Sequence, residues 1–268
     1  MILSGDCLSK IDEIDSSSIQ TVVTSPPYWG LRNYDNDDQL GQESSPEKFV
    51  FNLVNLFSKI KRVLKDDGTV WVNIGDTFFG AKGGHYDKNS ITNSTTGIEY
   101  RQKRAAPPKH AYLKDGDLSG VPWMFAVEMQ KQGWYLKQDI IWHKPNPMPE
   151  AVNNRCVKSH EYIFLFTKKK QYYFNADAIK IKDVRRSSVW TLNTASLKEA
   201  HFAVFPTELP ALCIKAGSRE GDIVLDPFLG SGTTALVAQE LGRRWIGIEL
   251  NPDYIEIIKR RTAQTQLF

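Results

Sequence analysis

The feature that most constrains the fold is a glycine-rich turn, Leu225-Asp-Pro-Phe-Leu-Gly-Ser-Gly-Thr-Thr234, between a predicted strand and a predicted helix. The segment Asp222-Ile-Val-Leu225 is typical of a short buried strand, and apolar residues recur with helical spacing from Thr233 to Leu241. A second strand, Arg244–Glu249, follows, and Pro252 then opens another helix. Strands and helices that alternate in this way pack as a parallel α/β sheet.

The composition of this turn indicates what it binds. Gly230 and Gly232 let the backbone approach a ligand, but the turn lacks the lysine of a phosphate-binding loop and the third glycine of a dinucleotide fingerprint. Asp226 would repel a pyrophosphate, whereas it suits a cationic ligand such as a sulfonium. Glu249 ends the next strand about 20 residues on, where a carboxylate can accept two ribose hydroxyls. The pattern predicts a nucleoside-type cofactor; a turn shaped only by its glycines is the alternative.

A second turn follows the strand predicted at Ile19–Thr24. It is Ser25-Pro-Pro-Tyr28, whose prolines permit neither helix nor strand continuation. Open α/β sheets bind ligands at the carboxyl ends of their strands, so the turn is expected at that edge. The Ser25 hydroxyl and the Pro26 carbonyl can accept both hydrogens of an exocyclic amine, while Tyr28 stacks on its ring. This predicts a site for a flat amine; a structural diproline turn is the alternative.

Between the two turns, the pattern predicts further elements of the same sheet. They are helices over Pro46 to Leu64 and Val121 to Gln132, and strands over Gly68 to Ile74, Trp134 to Trp142 and Glu161 to Thr167, the last continued through Tyr172 to Phe174. Residues 80–120 and 175–200 are polar or basic and are predicted to be functional loops. With 268 residues, 41% of them apolar and 24% charged, the chain is expected to form one domain, residues 1–268.

Together the two turns resemble the signatures of the DNA amino-methyltransferases that use S-adenosylmethionine, an [Asp/Asn/Ser]-Pro-Pro-[Tyr/Phe] turn and a Phe-x-Gly-x-Gly turn. Their order is similar to that of the circularly permuted beta class. The resemblance implies a Rossmann-like methyltransferase fold, a mostly parallel doubly wound sheet with an antiparallel hairpin, and the cofactor S-adenosyl-L-methionine. It implies the catalytic residues Ser25, Pro26, Pro27 and Tyr28, and the cofactor-binding residues Asp6, Phe205, Pro206, Glu208, Asp226, Pro227, Phe228, Gly230, Gly232, Thr233, Thr234 and Glu249.

Further segments resemble other parts of this family. Asn73-Ile-Gly-Asp76 is similar to the strand beside the catalytic turn, and Trp142–Asn146 with His160–Tyr162 is similar to the antiparallel hairpin of the base pocket. Permuted members carry a sizeable target-recognition region before the cofactor motif, where this chain has only residues 175–200. The insertion at residues 80–120 is therefore expected to share the recognition of DNA.

Serine at the first position of the catalytic turn is similar to members that methylate the N4 amine of cytosine, whereas aspartate there marks adenine-N6 enzymes. Methylation of cytosine carbon-5 needs a cysteine that follows a proline in its own family, and none of Cys7, Cys156 and Cys213 does. We therefore expect a site-specific enzyme that flips cytosine out of duplex DNA, in a restriction-modification or epigenetic role. Three alternatives stay open: an adenine-N6 enzyme, a methyltransferase for RNA or protein amides, and a cofactor-binding DNA-recognition protein without turnover.

Charge, metal-ligand patterns and hydropathy indicate the expected partners and cellular location. A net charge of +3 allows a polyanionic partner such as double-stranded DNA. Candidates for phosphate contacts, or for a solvated face, are Lys168–Lys170, Lys180, Lys182, Arg185 and Arg186. The histidines and cysteines form no metal-ligand pattern, and no metal is expected. No run approaches about 18 apolar residues and the start lacks a secretory signal, which predicts a cytoplasmic protein without a membrane span. A cognate restriction endonuclease and a homodimer are compatible with the resemblance, but no motif indicates either.

Overall fold

The computed structural model describes residues 1–30, 39–80, 109–147, 150, 153–195 and 205–264. Within them lie an eight-stranded sheet and six α-helices. The strands are β1 (Ile2–Ser4), β2 (Ile19–Thr24), β3 (Leu64–Ile74), β4 (Tyr135–His143), β5 (His160–Thr167), β6 (Val189–Thr191), β7 (Ile223–Asp226) and β8 (Arg244–Glu249). The helices are α1 (Cys7–Lys10), α2 (Pro46–Val63), α3 (Val121–Lys131), α4 (Glu208–Gly217), α5 (Thr233–Glu240) and α6 (Pro252–Gln264).

The strands form one mixed sheet in the order β1-β8-β7-β2-β3-β5-β4-β6. Strand β5 pairs antiparallel with β3 and with β4, and the other strand pairings in the described residues are parallel. All strands except β5 therefore end at one edge, the carboxyl edge, and β5 begins there. The predicted fold, a mostly parallel sheet with an antiparallel hairpin, is confirmed.

Helices cover both faces of the sheet, so the fold is doubly wound. On one face α2 and α3 pack over strand residues such as Val70 and Phe164, and on the other α4 and α5 cover Trp71 and Leu165. Successive side chains of a strand point to opposite faces. The continuous apolar run of β5 is therefore buried on both sides, as is typical of strands in the middle of an α/β sheet.

Helix α2 illustrates how the local sequence sets these elements. The Ser45 side chain caps it by accepting from the Lys48 N–H at 3.3 Å, and Pro46 stands in the first helical turn. The chain enters β3 directly at Leu64, so this strand begins four residues earlier than Gly68, where the pattern predicts it. The apolar face predicted for the helix is buried: Phe49, Leu53, Leu56, Phe57, Ile60 and Leu64.

The structure corrects the prediction for the residues after β5. The continuation of this strand through Tyr172 to Phe174 is wrong, because β5 ends at Thr167. The N–H of Tyr173 instead donates to the Asp67 carbonyl at 2.8 Å, and the rings of Tyr172 and Phe174 pack against the core beneath α4. The pattern also misses the short strands β1 and β6 and the helices α1 and α4.

The predicted recognition segments are only partly described. Residues 81–108 of the insertion and residues 196–200 of the second segment lie outside the described residues, and the assignment of both segments to target recognition stays a prediction. In the part of the chain that the structure describes, no helix combines the length and the hydropathy needed to cross a lipid bilayer.

Candidate active site

Both predicted turns lie at the carboxyl edge of the sheet. Strands β2 and β7 are parallel neighbours, with Val22 paired to Leu225, so the turns that follow them leave the sheet side by side. Glu249 ends β8 at the same edge. Its carbonyl accepts from the Gly5 N–H at 2.9 Å, which brings Asp6 next to it. The topology thus brings together segments from both ends of the chain.

A buried carboxylate joins the two turns. Asp226, which is 2% exposed, accepts from the Thr24 hydroxyl at 2.6 Å and from the Thr234 hydroxyl at 2.7 Å. It also accepts from the Phe228 N–H at 3.0 Å, and burial raises its pKa to about 6. The sequence places Asp226 against a cationic ligand. In the structure its bonds instead tie together β2, the glycine-rich turn and α5.

The glycine-rich turn needs its two glycines for conformation and for space. Gly230 has φ +53° and Gly232 has φ +85°, values in the left-handed region that favours glycine. A Cβ on Gly232 would also lie 3.0 Å from the Ile258 side chain. Thr233 and Thr234 follow as the first residues of α5 and are buried. The turn therefore brings the N-terminus of α5 to the carboxyl edge.

Glu249 closes the glycine-rich turn from the neighbouring strand. Its Oε2 accepts from the Gly230 N–H at 2.7 Å, and its Oε1 accepts from the Asn251 N–H at 2.8 Å. The residue is 9% exposed, and burial raises its pKa to about 7. The carboxylate is thus fixed beside the turn, and its role toward the ribose hydroxyls stays a prediction.

The remaining cofactor residues predicted from the sequence lie around this centre. The Asp6 side chain caps α1 by accepting from the Ser9 N–H at 3.0 Å. Pro227 is buried in the turn, and Phe205 and Pro206 are half-buried just before α4. Phe205 packs against the core beneath α4 and α5, Phe228 packs against the core on the opposite face, and Glu208 is exposed at the start of α4.

The catalytic turn lies against β3 and β5. Ser25 and Tyr28 are half-buried and Pro26 is buried. The Tyr28 ring packs so closely on Gly75 that a Cβ there would lie 2.6 Å from it. The Tyr28 hydroxyl donates to Glu161 at 2.5 Å. The sequence assigned Glu161 to the pocket hairpin, but its contact with Tyr28 could not be foreseen across 133 positions.

Comparison with known proteins decides the family. A family model described as DNA methylase, for the N6/N4 methyltransferases, matches residues 19–260. The chain belongs to this family of DNA methylases. The methylase is 46% identical over 265 residues to the type II methyltransferase M.Cfr9I of Citrobacter freundii, a match that covers 97% of this chain and 86% of the relative. It is also 46% identical over 267 residues to M.SmaI of Serratia marcescens, with 97% and 89% covered.

Solved structures share the fold of this methylase. The PvuII DNA methyltransferase, named as cytosine-N4-specific, matches with a TM-score of 0.73 at 22% identity, over 97% of this chain and 85% of that chain. A candidate DNA modification methylase of Thermus thermophilus matches with a TM-score of 0.67 at 24% identity, over 98% and 95% of the two chains. That second protein was solved in complex with S-adenosyl-L-methionine, the cofactor that the sequence predicts for this methylase.

The lysines suggested for phosphate contacts lie away from this site. Lys168 and Lys169 follow β5, whose antiparallel direction carries them to the edge opposite the two turns. Both pair with Asp66, at 3.3 Å and 2.6 Å. For Lys169, whose side chain is 57% exposed, the geometry favours a solvated face, whereas the Lys168 side chain is 18% exposed and donates to the Leu64 carbonyl at 2.7 Å.

Proposed function

We propose that this methylase transfers a methyl group from S-adenosyl-L-methionine to the N4 amine of cytosine in duplex DNA, as the modification enzyme of a type II restriction-modification system. The observation that carries the proposal is the bond from Thr24 to Asp226. It joins the strand that ends in Ser25-Pro-Pro-Tyr28 to the glycine-rich cofactor turn. An amine held at Ser25 and a cofactor held at Gly230 would then meet at one edge of the sheet.

Different cofactor-binding residues are proposed to bind different parts of S-adenosyl-L-methionine. Glu249 is placed to accept the ribose hydroxyls, and Asp6 beside it is placed to meet the adenine. The backbone of Gly230 to Gly232 permits close approach of the ligand. Phe205, Pro206 and Glu208 are proposed to flank the cofactor. When bound, S-adenosyl-L-methionine supplies an electrophilic methyl group on a positively charged sulfur.

The catalytic turn has to activate a poor nucleophile, because the lone pair of the cytosine amine is delocalised into the ring. The Ser25 hydroxyl and the Pro26 carbonyl accept the two hydrogens of the amine, which favours a more tetrahedral nitrogen and aims its lone pair at the methyl group. Tyr28 stacks on the flipped base. Transfer would form the nitrogen–carbon bond and break the carbon–sulfur bond of the cofactor, whose electron pair would stay on the sulfur, and the nitrogen would release one proton to solvent.

Duplex DNA is the proposed partner, with residues 80–120 and 175–200 as the elements that read its sequence. Base readout requires side chains that reach the groove edges, and these two segments lie between the catalytic turn and the cofactor turn in the chain. A cognate endonuclease and a homodimer remain predictions. Adenine N6 is the second candidate acceptor, since adenine also presents a conjugated amine at the edge of a flat ring.

The test supplies purified methylase and methyl-labelled S-adenosyl-L-methionine with duplex DNA, RNA or a mixed protein extract as the acceptor. We expect label in DNA, and N4-methylcytosine after digestion of that DNA to nucleosides. N6-methyladenine would contradict the proposed base. Label only in RNA or protein, or cofactor binding without transfer, would contradict the proposed reaction.

A further inference from the structure

A cluster of polar side chains lies beside the catalytic turn and has no part in the chemistry described so far. It consists of Glu161, Lys144 and Asn73, which come from three neighbouring parts of the sheet. Glu161 is the second residue of β5, Asn73 is near the end of β3, and Lys144 directly follows β4. Because β5 runs antiparallel to β3 and β4, all three reach the carboxyl edge next to Tyr28.

The Glu161 carboxylate is the centre of this cluster. Its Oε2 accepts from the Tyr28 hydroxyl at 2.5 Å and from the Asn73 amide at 3.0 Å, and its Oε1 accepts from the Lys144 ammonium. The Glu161 side chain is only 12% exposed and that of Lys144 only 18%. Hydrogen bonds to an ionised group are stronger than those between neutral groups, and they are stronger in a protein interior than in water.

The partners of Glu161 are themselves held in place. The Lys144 ammonium lies over the Trp142 ring, 4.4 Å from its centroid, and the Asn73 amide also donates to the Tyr162 carbonyl at 3.2 Å. Asn73 is 2% exposed. The Glu161 carboxylate therefore has a fixed position before any substrate binds. Its hydrogen bond to the Tyr28 hydroxyl fixes the end of the Tyr28 ring in turn.

Packing against Gly75 also fixes the Tyr28 ring. Gly75 is buried and lies against the ring. The space between them holds only a hydrogen atom, because a Cβ at this position would lie 2.6 Å from the nearest ring carbon of Tyr28. The ring is thus held by its hydroxyl at one end and by backbone contact along one side. The hydrogen bond to Glu161 and the contact with Gly75 constrain the Tyr28 ring independently, which indicates that the cluster orients this ring.

We infer that Glu161, held by Lys144 and Asn73, is a positioning residue that sets the orientation in which the Tyr28 ring stacks on the target base. The inference rests on the proposed function, because it takes Tyr28 as the side chain that receives the base. Since a displacement of about 1 Å can lower a rate about 10²-fold, loss of this support should reduce turnover rather than cofactor binding.

The test measures kcat, the Kd for S-adenosyl-L-methionine and the unfolding temperature for Glu161→Ala, Tyr28→Phe and the double variant, with unmethylated plasmid DNA as substrate. We expect Glu161→Ala and Tyr28→Phe to lower kcat by a similar factor, up to about 10²-fold, with the Kd unchanged. In the Tyr28→Phe background, Glu161→Ala should lower kcat by much less than in the wild type, because the hydroxyl through which Glu161 acts is already gone.

Asp222→Asn is the matched control. Asp222 accepts from Lys65 at 2.9 Å and has a similarly shielded side chain, 13% exposed, but it lies at the opposite edge of the sheet. Its kcat should stay close to that of the wild type. Equal losses for Glu161→Ala in the two backgrounds, or a wild-type kcat in Glu161→Ala, would overturn the inference. If Glu161→Ala does not fold, a wild-type kcat in Tyr28→Phe would overturn it as well.

Failure of the proposed function gives a different result. If Tyr28→Ala itself turns over at the wild-type rate, Tyr28 does not receive the base and the proposed function loses its catalytic turn. If Tyr28→Ala is inactive while Glu161→Ala is not impaired, only the positioning role is refuted.

Discussion

The binding of S-adenosyl-L-methionine should weaken as the pH falls below neutrality, because the carboxylate proposed to hold the ribose is close to its protonation point. Burial raises the pKa of Glu249 from its ordinary value of 4.5 to about 7, and the nearby carboxylate of Asp226 adds to the rise. Only the ionised form accepts two ribose hydroxyls. The bound state therefore keeps Glu249 ionised, and at low pH the free protein must first lose a proton.

The size of the effect follows from this pKa. With a pKa of about 7, roughly nine-tenths of the free protein is ionised at Glu249 at about pH 8 and roughly one-tenth at about pH 6. The Kd for the cofactor should therefore rise about ten-fold over this range, which corresponds to about 1.4 kcal/mol.

Calorimetric titration of the cofactor at several pH values, with the wild type and with Glu249→Gln, measures this dependence. Glutamine cannot ionise, so the variant should bind more weakly at about pH 8 and lose the ten-fold change. Titration of the cofactor itself would persist in both proteins. Glu256→Gln, on the exposed side of α6, is the matched control and should behave as the wild type. A wild-type Kd that is constant between these pH values, or a Glu249→Gln variant that keeps the pH dependence, would refute the reasoning.

Three further predictions concern the two turns. Tyr28→Ala should cut turnover about 10²-fold while the Kd for the cofactor stays near its wild-type value, and loss of both together would mark Tyr28 as a folding residue. Burial raises the pKa of Asp226 from an ordinary 3.8 to about 6 in the folded chain. The stability that comes from its protonated form is therefore fully present below pH 3.8 and is lost as the pH rises through 6. Asp226→Asn should therefore gain about 2 kcal/mol on the wild type between about pH 4 and pH 8 in urea unfolding, and a constant difference would contradict the burial of this carboxylate. Gly232→Ala should lower the free energy of unfolding by about 1 to 3 kcal/mol more than Gly221→Ala, because both residues have positive φ but only Gly232 has a close neighbour, Ile258; equal losses in urea unfolding would show that the turn can accommodate a Cβ.

Elements with strong local signals could be predicted from the sequence. Strands β2 and β8 begin and end where the pattern predicts, because each contains β-branched residues and is followed within three residues by a proline that cannot continue it. Short elements could not, since β1 and β6 have three residues each and depend on pairing with distant strands. The aromatic run at Tyr172 to Phe174 has the composition of a strand, but the rings of Tyr172 and Phe174 pack against the core instead.

The site was predictable in its parts and not in its connections. Each turn carries a motif within ten residues, so the local sequence predicts its position and its ligand class. The bonds from Thr24 to Asp226 and from Tyr28 to Glu161 join residues 202 and 133 positions apart, and only the strand order brings them together. For the same reason nothing in the sequence indicates that Asp226 is occupied by three donors within the protein.

The central claim is that the turn at Ser25 carries methyl transfer to cytosine N4. The most direct test is mass spectrometry of the nucleosides from duplex DNA treated with S-adenosyl-L-methionine and either the wild-type methylase or Ser25→Ala, a variant expected to keep cofactor binding. The account predicts N4-methylcytosine from the wild type and a loss of about 10²-fold or more in the variant. N6-methyladenine from the wild type, or undiminished N4-methylcytosine from Ser25→Ala, would contradict it.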